Sequence, residues 1–134
     1  PTPTPPTYTK GQLCADLKLK LQKSQSLADD IRKKMNDLVS ATDEQCWSYS
    51  RGVSCTLFVC PSIEINHADC VKYLKGEIDW RPNGFDPDRY ADARAVEDAR
   101  QRYLALKQEL SIYTAQIENA QQQLKQLALE GVIC

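Results

Sequence analysis

The chain has 134 residues, 17 of them basic and 18 acidic, for a net charge of −1. That length suits one domain with a core of moderate size, and interspersed charges exclude the concentrated basic face that nucleic acid requires. No apolar run approaches the roughly 20 residues that span a bilayer, and no signal peptide stands at the start, so any such segment has been removed or left out.

The opening "PTPTPPTYT" places four of the seven prolines in the first six residues. Proline lacks the amide donor and favours extended polyproline II, so residues 1–8 read as a stiff lead that packs on nothing. A linker is the simpler interpretation. An O-glycosylated stem is the sharper one, because Thr and Pro alternate.

The first helix is expected over about residues 10–42, within a segment 9–42. Thr9 can cap it, with Gln12 completing a capping box. Apolar or small residues recur at Cys14, Leu17, Leu21, Ser24, Ala28, Ile31, Met35 and Leu38. Steps of three and four define a heptad seam. Lys18, Lys20, Lys23, Lys33 and Lys34 form a solvated face.

Residues 43–85 differ in composition and are expected to form a small disulfide-stapled α+β head. They hold four of the six cysteines, both tryptophans and both phenylalanines. "CWSYSRGVSCTLFVCP" has β-rich runs on either side of Arg51-Gly52 and predicts a hairpin. "NHADCVKYLKG" predicts a short helix capped by Asn66 and stopped at Gly76.

The second long helix is expected over about residues 87–130, within a segment 86–134, with Asp86 as N-cap and Pro87 at the first helical position. Its seam reads Val96, Ala99, Tyr103, Leu106, Leu110, Tyr113, Ile117, Ala120, Leu124 and Leu127. Gly131 is a natural stop in the left-handed conformation.

The expected fold is therefore mainly α: a long antiparallel two-helix coiled-coil hairpin with the head inserted between the helices. With Cys14 opposite Cys134, facing positions sum to 148. Leu21 then faces Leu127, Ala28 faces Ala120 and Ile31 faces Ile117. About five turns of the second helix extend past the first, at 3.6 residues per turn, and the head would cover Val96, Ala99 and Tyr103. Leu13, Leu19, Leu27, Leu104 and Leu129 lie off the seam and could support association into a four-helix bundle.

An even count of six cysteines in a short chain favours a disulfide framework. Zinc would want Cys-x-x-Cys pairs or nearby histidines, and the only histidine is His67. Cys14–Cys134 is the expected clamp. The pairing of Cys46, Cys55, Cys60 and Cys70 stays open. Cys55–Cys60 is disfavoured if "CTLFVC" is one strand, because the ends of such a strand lie about 17 Å apart against a limit near 7 Å. Disulfides imply an extracytoplasmic location: periplasm, cell surface, extracellular space or virion exterior.

Catalytic signals are weak. His67 neighbours Asp69 and Cys70 only in sequence, and no nucleophile, base and orienting group can be assembled. "DPD" at Asp86–Asp88 lacks the spaced oxygens of a calcium loop. No cofactor, metal or catalytic residue is expected. Binding remains, to a protein partner or to a second copy. Trp47, Tyr49, Phe58, Tyr73, Trp80 and Phe85 cluster in the head, and about two-thirds of them must form its core, since so large an exposed cluster is unusual. Trp80, in "DWRPNGF", is the preferred exposed anchor. The expected partner-binding set is Trp80, Arg81, Phe85, Trp47 and Tyr49.

The leading expectation is a non-enzymatic exported structural or interaction protein, part of a cell surface, a secretion or conjugation appendage, or a virion. An exported inhibitor or immunity protein acting through the head is the alternative. Two heptad segments around a cysteine-bearing middle, with a final cysteine, also resemble the periplasmic part of phage inner-membrane spanins. That resemblance covers the pattern of the second helix and no specific motif. It implies a periplasmic coiled-coil protein, although the N-terminal membrane anchor of that family does not appear here and the middle region is richer in cysteine.

Overall fold

The computed structural model describes residues 9–51 and 62–134. Among them are three helices, α1 (Lys10–Arg51), α2 (Ile63–Leu74) and α3 (Ala91–Leu129), and no strand. The chain divides into two compact units. The terminal unit comprises Pro1–Asp30, of which residues 9–30 are described, together with Leu110–Cys134. The central unit is Ile31–Glu109.

Local chemistry sets the helix ends. The Gln12 amide donates to Thr9 Oγ1 at 3.1 Å, and the Thr9 amide donates to Gln12 Oε1 at 2.9 Å, which is the expected capping box. At the far end of α3, the Val132 amide donates to the Leu127 carbonyl and the Gly131 amide to the Ala128 carbonyl. This Schellman closure needs φ of +80° at Gly131, which glycine adopts without a Cβ penalty. An equivalent closure ends α2, where the Glu77 amide donates to the Lys72 carbonyl and Gly76 has φ of +72°.

In the terminal unit, α1 and α3 run antiparallel. Cys14, Leu17, Ala120 and Leu127 form its buried cluster, with Leu13, Leu21, Leu124 and Val132 packed against it. Cys14 and Cys134 are disulfide-bonded, with Cα atoms 5.6 Å apart. The register differs from the expected one. Lys10 Nζ donates to Glu130 Oε2 at 2.8 Å and Ser24 Oγ to Gln116 Oε1 at 3.2 Å, so tied positions sum to 140 and not 148. The shift is close to one heptad, and a seam that repeats every seven residues looks the same after it. Cys134 still reaches Cys14 because the chain leaves the helix at Gly131.

The central unit corrects three expectations. Its helix α1 continues to Arg51, so Cys46, Trp47 and Tyr49 are helical and not the first arm of a hairpin. The second arm, with Cys55, Phe58 and Cys60, lies outside the described residues. The head is thus helical among its described residues, not α+β. Helix α2 begins at Ile63 with Ser62 as N-cap, and Asn66 is an interior, buried position. Helix α3 begins at Ala91 rather than at Pro87. Asp86 instead closes a separate turn: its Oδ1 accepts from the Asp88 amide at 3.1 Å and its carbonyl accepts from the Tyr90 amide at 3.0 Å.

All three helices feed one core in this unit. Cys46 and Tyr49 come from α1, Cys70, Tyr73 and Leu74 from α2, and Ala93, Val96 and Ala99 from α3, with Phe85 of the connecting loop among them. Ser48 Oγ donates to Asp92 Oδ2 at 2.7 Å, a tied pair that again sums to 140. The extended α1, together with α2, therefore covers the start of α3. The overhang expected from a helix ending near residue 42 is absent, because α1 does not end there. Cys46 and Cys70 are disulfide-bonded with Cα atoms 5.7 Å apart, and both are fully buried.

Candidate interaction surface

Among the described residues of the central unit, the loop between α2 and α3, residues 75–90, carries the most exposed aromatic side chain, and several contacts fix it in place. The Tyr49 hydroxyl donates to the Asn83 carbonyl. Arg100 donates to the Tyr73 carbonyl and, at 3.0 Å, to the Ile78 carbonyl. Its guanidinium sits 4.0 Å from the centre of the Tyr73 ring, a cation–π contact over a buried aromatic. This cation also satisfies the Tyr73 carbonyl at the C-terminal end of α2, where positive charge complements the helix dipole. Phe85 packs edge-on to Tyr49 with centroids 5.4 Å apart and lies 5.1 Å from Tyr73. Pro82 and Pro87 are buried as well, and their fixed φ angles restrict the backbone further.

Trp80 stands on this pinned loop with 55% of its surface exposed. Arg81 beside it is half-exposed and reaches Glu97 at 3.9 Å. Of the five residues expected at a partner-binding surface, these two are solvent-facing. Trp47 is half-buried, its indole stacked on His67 with centroids 3.7 Å apart. Tyr49 and Phe85 belong to the core and cannot meet a partner in this fold. Both were plausible anchors by residue type, but the helical path of α1 and the inward turn of the loop bury them.

The electrostatics follow from that burial. Desolvation, and next the nearby Asp69 carboxylate, push the Tyr49 hydroxyl up to about 12. Burial and the hydrogen bond to Glu97 also raise the Tyr73 hydroxyl; that bond is 2.6 Å long. In the terminal unit, the Lys10 ammonium beside Glu130 holds its carboxyl below the usual range.

His67 finds its polar partner on another helix. Its Nε2 lies 2.7 Å from Asp43 Oδ1 of α1, and not against its sequence neighbour Asp69. Asp43 and Trp47 are one helical turn apart and together cradle the imidazole. Sequence reasoning could have found this pair only after extending α1 beyond residue 42. It also passed over Tyr90, Ile63 and Ile65, which are exposed in the central unit, and Ile112 and Ile133, which are exposed in the terminal unit. Nothing in the seam pattern marks these positions. Of the off-seam leucines, Leu19, Leu27 and Leu129 are exposed, while Leu13 packs on the terminal core and Leu104 lies against Gly76.

Among the described residues, no group of three or more His, Cys, Asp or Glu is placed to hold a metal ion, and no helix is long and apolar enough to cross a membrane. Comparison of the chain with protein-family models, with curated proteins and with solved structures finds no match.

Proposed function

We propose that this chain is a non-enzymatic exported interaction protein whose central unit engages a protein partner through Trp80 and Arg81. The observation that carries the proposal is an exposed tryptophan on a loop whose backbone is tied down at Ile78 and Asn83. Trp and Arg are the residue types that dominate binding hot spots. A loop ordered before binding loses less entropy when it docks. The two disulfides support an oxidising, extracytoplasmic setting.

Within that reading, a helical component of a surface structure, an appendage or a virion comes first, with the exposed leucines of the terminal unit available for self-assembly. An inhibitor or immunity protein is the second reading, favoured by the rigidity of the Trp80 loop, since tight inhibitors present preformed surfaces. A spanin-like periplasmic role is third and rests on the coiled-coil pattern alone.

Affinity capture from the native source tests the proposal. One partner should be retained by the wild type and by Leu19→Ala, and lost with Trp80→Ala. Retention of the same partner by Trp80→Ala would remove the loop from the interface. Light scattering on the purified protein then separates the first two readings, because an assembly component self-associates and an inhibitor stays monomeric.

A further inference from the structure

We propose that the Cys14–Cys134 bond is a thiol-exchangeable clasp and that Cys46–Cys70 is a permanent structural bond. The two sulfurs of the central bond belong to residues with no exposed surface, enclosed by the aromatic core and by two helices. A thiolate must approach a disulfide along the sulfur–sulfur axis, and no such approach exists while that core is closed. The terminal bond is asymmetric. Cys14 is fully buried in the first turns of α1, whereas Cys134 is an exposed residue beyond the Schellman closure of α3. Attack can therefore come from one side only, at Cys134 Sγ.

The chemistry then has a defined direction. An incoming thiolate bonds to Cys134 Sγ, the Cys14–Cys134 bond breaks, and Cys14 leaves as a thiolate that takes a proton. With a monothiol the product is a mixed disulfide on Cys134 and a free thiol on Cys14. With a dithiol, its second sulfur displaces Cys134 and closes a cyclic disulfide, so the dithiol is oxidised as the protein is reduced. Neither step requires a helix to unfold, because the chain has already left α3 at Gly131.

Opening the clasp changes one end of the terminal unit. The ties described there besides the bond include the packing of Leu13, Leu17, Leu124, Leu127 and Val132, and the Lys10–Glu130 pair. That pair is solvent-exposed on both sides, and such pairs hold helices weakly. Thiol exchange should loosen the first turns of α1 and the last turns of α3 and expose the leucines between them. Ambient thiol would thus control whether an apolar surface is offered at this end.

Limited reaction of the native protein with reduced glutathione, followed by acid quench, N-ethylmaleimide labelling and peptide mass spectrometry, tests this. Glutathione should appear on Cys134 and maleimide on Cys14. Cys46 and Cys70 should react at least about tenfold more slowly, opening only with global unfolding. Glutathione on Cys14, or modification of Cys46 and Cys70 at the rate of Cys134, would overturn the assignment. Hydrogen exchange on the clasp-opened protein provides the second readout. Faster exchange confined to residues 10–17 and 124–132 is expected, and loss of protection throughout the central unit would show that the bond is structural rather than a switch.

Discussion

The terminal and central units share the helices α1 and α3, yet different means hold them together. The terminal unit is two helices deep: a narrow seam in which Leu21 and Leu124 remain half-exposed, closed by a disulfide at its edge. The central unit adds α2, buries its disulfide completely, and surrounds it with Tyr49, Tyr73 and Phe85. A third helix gives each seam residue a second neighbour, and that converts a solvent-lapped seam into a core. Stability of the terminal unit should therefore depend on covalent closure, and stability of the central unit on packing.

The double variant Cys14→Ser/Cys134→Ser tests the first half of that statement and carries the largest expected effect. The bond spans 120 residues in sequence, and chain-entropy reasoning assigns closure of such a loop about 5 kcal/mol, against about 3.5 kcal/mol for the 24-residue span of Cys46–Cys70. Denaturant unfolding should show a loss of that order without change in the near-ultraviolet signal of the central aromatics. A loss below about 1 kcal/mol would mean that the unfolded chain already keeps its ends close.

Phe85→Ala tests the second half. Removing a buried phenylalanine from contact with Tyr49 and Tyr73 should cost about 3–5 kcal/mol, measured the same way. A cost under about 1 kcal/mol would show that the loop, not the core, supplies its contacts. Alkaline pH probes the same cluster through Tyr49. A hydroxyl that titrates at about 12 when folded, against an ordinary value of 10.0, stays neutral in the native state while the unfolded chain ionises. The native state then binds more protons, so stability is lost as pH rises from 10 towards 12. Tyr49→Phe should flatten that part of the curve relative to wild type.

Gly76→Ala has a smaller expected cost, about 1–2 kcal/mol from placing a Cβ at φ of +72°. The new methyl would also meet the Leu104 side chain. Gly131→Ala carries the same backbone penalty but faces open space. The difference in thermal midpoint between the two variants thus isolates the packing part in the central unit.

Where sequence patterns repeat or punctuate, they were readable. Thr9 with Gln12, Gly76 and Gly131 lie where their chemistry requires, and the expected Cys14–Cys134 pair is formed, although in a helix register other than the one drawn from it. Three features were hidden by identifiable causes. Trp47, Tyr49 and Cys46 are strand-favouring types, yet Thr42, Cys46 and Tyr49 continue the buried stripe of α1, and burial of that face outweighs propensity. Asp86 and Pro87 form a good helix start, but the Asp86 carboxylate serves a local turn and α3 begins at Ala91. A heptad seam also cannot distinguish a register from the next one seven residues away, and only polar ties such as Ser24–Gln116 resolve it. Residue type nominated five candidate anchors, but which of them faces solvent depends on the helical path of α1 and on the inward turn of one loop, which no local pattern encodes.

That loop supplies the smallest predicted effect on stability and the sharpest internal comparison. Trp80 and Phe85 lie on the same connection between α2 and α3, one 55% exposed and the other 7%. If Trp80 only presents its indole to solvent, Trp80→Ala should change the free energy of unfolding by no more than about 0.5 kcal/mol, as for other surface positions. Its backbone ties at Ile78 and Asn83 do not involve the indole, so the loop should keep its shape. A cost above about 1.5 kcal/mol would place the ring in a packing role and remove it as a binding anchor. A negligible cost combined with loss of partner capture would leave recognition as the remaining reason for an exposed tryptophan at that position.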